Sequence, residues 1–203
     1  MFIELLSKDP IIFFSIVAIL IISISLHELA HGVAALSQGD DTPKVSGHMT
    51  LNPIVHMGWQ SIIFLCLAGI CWGQMPVDSA KFRSPRWGQI LVAAAGPLLN
   101  FTLGLLFTLF LYFSTTSTLE NVFIANFCLL AARMNFVLFL FNLLPVPPLD
   151  GFHFFGEIFP ALKSLGNSPW GLAAFMILFL SGASVYLFEG ADFIIEYLLK
   201  LFI

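Results

Sequence analysis

Long runs of apolar residues, separated by short polar stretches, are the main pattern along this chain. A helix needs about 20 consecutive apolar residues to cross a lipid bilayer, and four runs reach that length. They cover approximately Pro10 to Ser37, Trp87 to Phe113, Asn121 to Leu144 and Pro169 to Phe188. The pattern therefore predicts an all-α, polytopic bundle of transmembrane helices.

The composition is that of a membrane protein. Hydrophobic residues make up 59% of the 203 residues and charged residues only 10%, with a mean hydropathy of +0.95. Soluble domains carry about 25% charged residues. The length predicts a single integral-membrane domain over residues 1–203, with a core at about 10–165 and a C-terminal helix at about 169–203. We expect the lipid bilayer as a partner and no nucleic acid, because the net charge is −4 and no basic patch is present.

A cluster of ionisable residues lies inside the first apolar run. The HExxH sequence from His27 to His31 holds three ionisable groups, each costing roughly 2.5–3.5 kcal/mol at mid-membrane on insertion scales. On a helix His27 and His31 are one turn apart, so both imidazoles can bind the same metal ion. Glu28 lies beside them, where it can accept a proton from a metal-activated water molecule. The cluster predicts metal-dependent hydrolysis within the bilayer.

A third protein ligand is needed, because hydrolytic zinc sites usually combine three protein ligands with one water molecule. Asp150 is the best candidate, since Pro145, Pro147 and Pro148 break the preceding helix and let a short carboxylate turn inward. An alternative role for Asp150 is to cap the segment that begins at Gly151. We also expect the unwound stretch to leave amides and carbonyls free, so that a locally unfolded substrate can pair with it as an added strand.

A fifth apolar run, residues 57–77, is short and interrupted by glycines. It either crosses the membrane completely or forms a re-entrant or β-like segment between the first two long helices. The re-entrant path is favoured, because it brings Asp150 to the same end of the bundle as the histidines. It also gathers basic residues at that end, which are Lys44, Lys81, Arg83 and Arg86. The positive-inside rule makes that end cytoplasmic.

Five motifs in this order resemble the site-2 protease family of intramembrane zinc metalloproteases, in its short bacterial form. The resemblance covers roughly residues 20 to 155, and its most specific part is the HExxH sequence paired with NxxPxxxxDG. The motifs are HELAHG at 27–32, GHMTLNP at 47–53 followed by His56, FRSPRWG at 82–88, AGPLLN at 95–100 and NLLPVPPLDG at 142–151.

The resemblance implies a multi-pass protein of the bacterial cell membrane, and the positive-inside rule places its active site towards the cytoplasm. It implies one Zn²⁺ per chain, held by His27, His31 and Asp150, with Glu28 as the general base. It also implies that Asn142 helps to hold the substrate backbone. The substrate would be a membrane protein that is cut in or near a transmembrane helix, as in regulated intramembrane proteolysis. Neither the identity of the substrate nor the oligomeric state follows from the sequence.

Two other functions are compatible with polar residues in membrane helices. Histidine and aspartate can mark an ion pathway, which would make the chain a divalent-metal transporter. A non-catalytic relative that binds membrane helices without cutting them is the second alternative. A transporter needs several successive weak sites, whereas the sequence has one ligand cluster, and the presence of Glu28 argues against a non-catalytic relative.

Three further polar residues have open roles. Asn100 is interpreted mainly as structural, since asparagines in membrane bundles often hydrogen-bond across helices. Arg133 either extends to the membrane surface, pairs with an acidic residue or marks a helix boundary. His56 is more typical of a packing or interfacial histidine. Together with Asn142, it is also a candidate donor to the oxyanion of a tetrahedral intermediate.

Overall fold

The computed structural model describes residues 2–116, 121–166 and 168–202, and these residues form helices joined by turns, with no β-strand among them. In chain order the α-helices are α1 Glu4–Lys8, α2 Pro10–Ser37, α3 Thr42–Val45, α4 Pro53–Ala68, α5 Pro85–Thr116, α6 Val122–Asn142, α7 Asp150–Ile158, α8 Lys163–Gly166, α9 Pro169–Leu180 and α10 Ser184–Leu201. Short 3-10 helices cover Ser79–Lys81 and Pro160–Leu162. The prediction of an all-α bundle is confirmed, and α2, α5 and α6 are long and apolar enough to cross a membrane.

Local sequence signals set the ends of these long helices. Pro10 occupies the first turn of α2, and the carboxylate of Asp9 accepts a hydrogen bond from the amide of Ile12 at 3.0 Å. Gly39, with φ of 96°, ends the same helix in the left-handed conformation that glycine adopts readily. The side chain of Asn121 caps α6 by accepting hydrogen bonds from amides of the first turn. The first three predicted spans therefore agree with α2, α5 and α6 to within a few residues.

Helix α5 packs against both α2 and α6. Gly104 of α5 makes room for the ring of Phe136 on α6, because a Cβ atom at position 104 would overlap with that ring. The ring of Phe101 lies against the same side chain, with centroids 5.8 Å apart. Ala191 and Ile195 of α10 are buried in the same apolar cluster. This cluster joins α5, α6 and α10 into one core.

Residues 57–77 run out and back along α2. Helix α4 ends at Ala68, and the next residue, Gly69, has a φ of 74° and reverses the chain beside Phe2, near the N-terminal end of α2. The return ends where the amide of Asp78 donates to the carboxylate of Asp40 at 2.7 Å, just beyond the C-terminal end of α2. This path agrees with the re-entrant interpretation, and it consists of a helix and a non-helical return.

The return half of this hairpin is hydrogen-bonded to α4 along one edge. The amide of Trp72 donates to the hydroxyl of Ser61 at 2.8 Å, and the amide of Gln74 donates to the carbonyl of His56 at 2.9 Å. Residues 70–78 are neither helical nor part of a sheet, and the amides of Trp72 and Gln74, two residues apart, both bond to α4. This alternation is that of an extended chain, in which the amide of the intervening Gly73 is directed away from α4.

The prediction of a fourth spanning helix from Pro169 to Phe188 is wrong. Helix α9 ends at Leu180 and α10 begins at Ser184, and between them Gly182 adopts a φ of 74°. A glycine in the left-handed region ends a helix, and the apolar residues around this one conceal the break in a hydropathy pattern. The predicted C-terminal helix at about 169–203 is therefore two helices, and its last residue lies outside the described residues.

An ion pair joins α6 to α10. Nη2 of Arg133 lies 2.6 Å from Oδ2 of Asp192, and the guanidinium lies over the ring of Phe188 at 5.1 Å from its centroid. A charge in a membrane-spanning helix needs such a partner. Of the three interpretations of Arg133, pairing with an acidic residue is therefore the one observed.

The chain between α6 and α7 forms a compact turn. Pro145, Pro147 and Pro148 have no amide hydrogen, and the amides of Val146 and Leu149 donate to carbonyls within the turn at 2.8 and 2.9 Å. The prolines break the helix as expected. The expectation of free amides in this stretch is wrong, because the residues between the two helices present only carbonyls to a substrate.

We expect Gly151→Ala to lower the free energy of unfolding by about 1–3 kcal/mol, the usual cost of overpacking. A methyl group at position 151 would overlap with backbone atoms of Leu143 and Leu144, which cannot rotate away. Gly190→Ala is the matched control, because its methyl group would meet only the end of the Leu140 side chain, at 3.1 Å. Denaturant unfolding in detergent micelles measures both variants. Equal stability of the two would contradict the close backbone approach at Gly151.

Candidate metal centre

Two imidazoles and one carboxylate meet where α2, α5 and α7 come together. His27 and His31 are buried one turn apart on α2, and their Nε2 atoms lie 3.0 Å from each other. Oδ2 of Asp150 lies 3.0 Å from Nε2 of His27 and 3.3 Å from Nε2 of His31. The structure thus brings together the three side chains that the sequence suggested as metal ligands.

Asp150 reaches this position as the first residue of α7. The capping residue of α7 is Leu149, and no side chain caps the helix. The alternative role of Asp150 as a helix cap is therefore not what the structure has. A carboxylate in the first turn is favoured by the helix dipole, and here it is directed at the histidines.

The other ring nitrogens of both histidines have fixed partners on α5. Nδ1 of His31 donates a hydrogen bond to the carbonyl of Val92 at 2.7 Å, and Nδ1 of His27 lies 2.5 Å from Oδ1 of Asn100. A histidine that donates from Nδ1 keeps the lone pair of Nε2 for a metal ion, and such outer partners orient the ring. Both Nε2 atoms are therefore available on the side that faces Asp150.

One stripe of α5 supplies all of these contacts. Val92, Gly96 and Asn100 are each four residues apart, so they lie on one face of the helix. The backbone of Gly96 lies against both Nε2 atoms, and a Cβ atom there would overlap with the rings of His27 and His31. The close approach of α5 to the two histidines therefore depends on glycine at position 96.

The three donor atoms fit a tetrahedral metal ion. Zinc bonds of about 2.0–2.1 Å place neighbouring ligand atoms about 3.3 Å apart, close to the observed 3.0 to 3.3 Å. Two imidazoles and one carboxylate are a ligand set typical of hydrolytic zinc. Among the residues that the structure describes, His27, His31 and Asp150 are the only group of three or more potential ligands close enough to share an ion.

Glu28 lies between α2 and the return half of the hairpin. Glu28 is only 8% exposed, and a Cβ atom on Gly73 would come within 2.5 Å of its Oε1 atom. The return therefore passes directly over this carboxylate, and glycine at position 73 gives it room. Glu28 follows His27 in α2, so its carboxylate belongs to the same turn of the helix as the two histidines.

The structure gives His56 and Asn142 different surroundings. His56 is 1% exposed; its Nε2 donates to the carbonyl of Thr50 at 2.7 Å, and its Nδ1 has no hydrogen-bond partner among the described residues. Asn142 is half-buried at the end of α6, and its side-chain amide donates to the carbonyl of Leu138 at 3.0 Å. Within the described part of the chain, neither side chain is hydrogen-bonded to the three potential ligands.

Asn100 is a site residue that sequence reasoning missed. The sequence predicted a mainly structural role for Asn100. That description is incomplete, because its side chain is hydrogen-bonded to His27 and orients the imidazole. The available signal was a polar residue in an apolar helix, four positions after Gly96 and on the same face. Burying an amide without a partner is costly, so such a residue indicates a polar partner on a neighbouring helix.

Known proteins support the chemistry that this geometry suggests. The family model described as Peptidase family M50 matches residues 15–125 and 114–181. YwhC of Bacillus subtilis, a zinc metalloprotease by name, is 36% identical over 180 residues, which cover 84% of this chain and 82% of that protein. Rip2 of Mycobacterium tuberculosis, also a zinc metalloprotease by name, is 29% identical over 153 residues, which cover 70% of this chain and 56% of that protein.

No solved structure gives a significant match to the chain. The family model covers most of the sequence, and the potential ligands of α2 lie within the matched residues, as does Asp150. The chain therefore belongs to peptidase family M50, the site-2 protease family of zinc metalloproteases.

Proposed function

We propose that the protein is an intramembrane zinc endopeptidase that cuts membrane proteins in or near their transmembrane helices. The observation that carries this proposal is the position of the potential metal ligands and Glu28. His27, Glu28 and His31 lie in the C-terminal half of α2, which is long and apolar enough to span a membrane, and Asp150 of α7 meets them there. A peptide bond that reaches them must come from a segment at membrane depth.

His27, His31 and Asp150 hold one Zn²⁺ in this proposal. Their spacing supports that role, as do the hydrogen bonds that both histidines make from Nδ1 to oxygen atoms of α5. When bound, zinc supplies Lewis acidity, which acidifies a water molecule and polarises the carbonyl of the scissile bond. The remaining chemistry belongs to the side chains of the protein.

Glu28 is the proposed general base and acid. Its carboxylate accepts a proton from the attacking water as the oxygen of that water bonds to the carbonyl carbon. It then gives the proton to the amide nitrogen as the C–N bond breaks, which releases an amine and a carboxylic acid. The packing of Gly73 against the carboxylate supports this role, because it limits the positions from which the carboxylate can act.

The substrate must be locally unwound, since a helix hides its peptide groups in its own hydrogen bonds. We propose that the unwound segment pairs with the outward edge of the return near Gly73, by addition of a strand. The amides of Trp72 and Gln74 are used by α4, which leaves the alternate positions directed away from it. The return passes over Glu28 at Gly73. Its outward edge, and not the proline-rich turn, is therefore the proposed surface for pairing with the substrate. Asn142 remains a proposed contact to the substrate backbone.

The proposed location is the bacterial cell membrane, with the metal centre towards the cytoplasm. The basic residues that support this orientation lie near the end of α2 and the start of α5. The amide of Arg83 donates to the carbonyl of Gln38 at 2.8 Å, and Lys81 pairs with Asp41 at 2.7 Å. An excess of lysine and arginine is typical of cytoplasmic ends.

We expect Glu28→Gln to keep its zinc and to lose cleavage by roughly 10²–10⁴-fold, because general acid–base catalysis contributes about that factor. The assay uses protein reconstituted in vesicles with single-span helices that contain glycine and proline near one end. Glu196→Gln is the matched control, since Glu196 is exposed on α10. Cleavage by Glu28→Gln at the rate of the control would refute the assigned base.

The proposed orientation predicts which ends of the helices are accessible from outside the cell. Ser46 is exposed near the C-terminal end of α2, and Thr116 is exposed at the far end of α5. In a variant without native cysteines, a membrane-impermeant maleimide should label Thr116→Cys in intact cells and Ser46→Cys only after permeabilisation. The reverse labelling pattern would place the metal centre on the outer side.

A further inference from the structure

We infer that Asn135 of α6 is a positioning residue for the metal centre, acting on His27 through the side chain of Asn100. The inference rests on the proposed function, because it concerns the nitrogen with which His27 would hold zinc. It assigns a task to a side chain that lies on a different helix from every potential ligand.

The contacts form an unbroken line from a backbone carbonyl to the imidazole. Nδ2 of Asn135 donates to the carbonyl of Ala131 at 2.9 Å, and Nδ2 of Asn100 donates to Oδ1 of Asn135 at 3.1 Å. Oδ1 of Asn100 then lies 2.5 Å from Nδ1 of His27. The two asparagine side chains thus connect α6 to α2 across α5.

The carbonyl at one end of this line fixes the direction of every hydrogen bond in it. A carbonyl only accepts hydrogen bonds, so Asn135 must present its NH₂ group to Ala131 and its oxygen to Asn100. Asn100 must then present its NH₂ group to Asn135 and its oxygen to His27. Nδ1 of His27 must therefore carry a hydrogen, which leaves the lone pair of Nε2 for the metal ion.

Burial prevents water from replacing either amide. Asn100 and Asn135 are both 0% exposed. If Asn135 lost its oxygen, Asn100 could rotate by half a turn and present its NH₂ group to His27. Nδ1 of His27 would then accept a hydrogen bond, so the hydrogen of the imidazole would lie on Nε2. A hydrogen at Nε2 occupies the position at which the metal ion binds.

In His31 a single hydrogen bond places the hydrogen on Nδ1. Its Nδ1 donates directly to the carbonyl of Val92 at 2.7 Å. A backbone carbonyl therefore fixes the position of the hydrogen on both imidazoles. It acts directly on His31 and through two asparagine side chains on His27. A purely structural role for Asn135, as a hydrogen bond between α5 and α6, would give no preference to the orientation of His27.

The test is a double-mutant cycle on zinc affinity, measured by competition with a chelator. We expect Asn135→Leu to weaken zinc binding about 10-fold or more, within the 10–100-fold range of outer-shell substitutions. Thr108→Val is the matched control, because Thr108 is a buried residue of α5 that also donates to a carbonyl of its own helix, at 2.8 Å. This control should bind zinc as the wild type does.

The variant Asn100→Asp distinguishes a positioning role of Asn135 from a purely structural role. A carboxylate presents an oxygen to His27 in either orientation, so it no longer needs Asn135 to orient it. Adding Asn135→Leu to that variant should therefore change zinc affinity little. The same loss in both backgrounds, or no loss beyond that of Thr108→Val, would overturn the inference.

Asn135→Asp keeps the inference testable if Asn135→Leu does not fold. It retains an oxygen that accepts from Asn100, so its zinc affinity should match that of the wild type, and a loss of about 10-fold or more would overturn the inference. Failure of the proposed function has a different signature, because the wild-type chain would then bind no zinc or would bind it without cutting any helix.

Discussion

The cost of placing ionisable side chains inside apolar helices governs the architecture around α2. His27, Glu28 and His31 lie within one turn of a helix that otherwise consists almost entirely of apolar residues. Polar groups left without partners at membrane depth are strongly unfavourable, so neighbouring parts of the chain must pair or cover these side chains. Helix α5 and Asp150 at the start of α7 pair the two histidines, and the return half of the hairpin packs over Glu28. The fold brings these parts to one place.

Helix α5 links the stability of the bundle to the arrangement of the site. Near its start, Val92, Gly96 and Asn100 face the histidines, and one turn further on Gly104 receives the ring of Phe136. The same helix therefore orients the potential ligands and packs the apolar core. Asn100 belongs to both parts, because it is hydrogen-bonded to α2 and to α6. Changes in packing between α5 and α6 should consequently alter the orientation of His27 at the metal centre.

Much of this arrangement could be predicted from the sequence. Pro10 and Gly39 mark the ends of α2, the spacing of His27 and His31 puts them on one face, and the prolines before Asp150 allow the chain to turn. These signals are local, and each has a physical cause within a few residues. The path of the return could be inferred only indirectly, from the requirement that Asp150 reach the histidines.

Other features depend on contacts between distant residues and could not be predicted. Gly182 breaks an apolar run whose composition favours a helix, and hydropathy does not register the conformation of one residue. The partners of Asn100 become evident only when α2, α5 and α6 are placed together. The proline-rich turn uses its few amides internally, which the sequence pattern does not reveal.

Zinc content is the direct test of whether His27, His31 and Asp150 hold one zinc ion. Zinc per chain should be measured in detergent-purified wild type, in Asp150→Ala and in Asp41→Ala, the last of which removes an exposed carboxylate that pairs with Lys81. We expect about one tightly held zinc in the wild type and in Asp41→Ala, as for a single hydrolytic site, and a sharp loss in Asp150→Ala. Full zinc content in Asp150→Ala, or none in the wild type, would contradict this set of ligands.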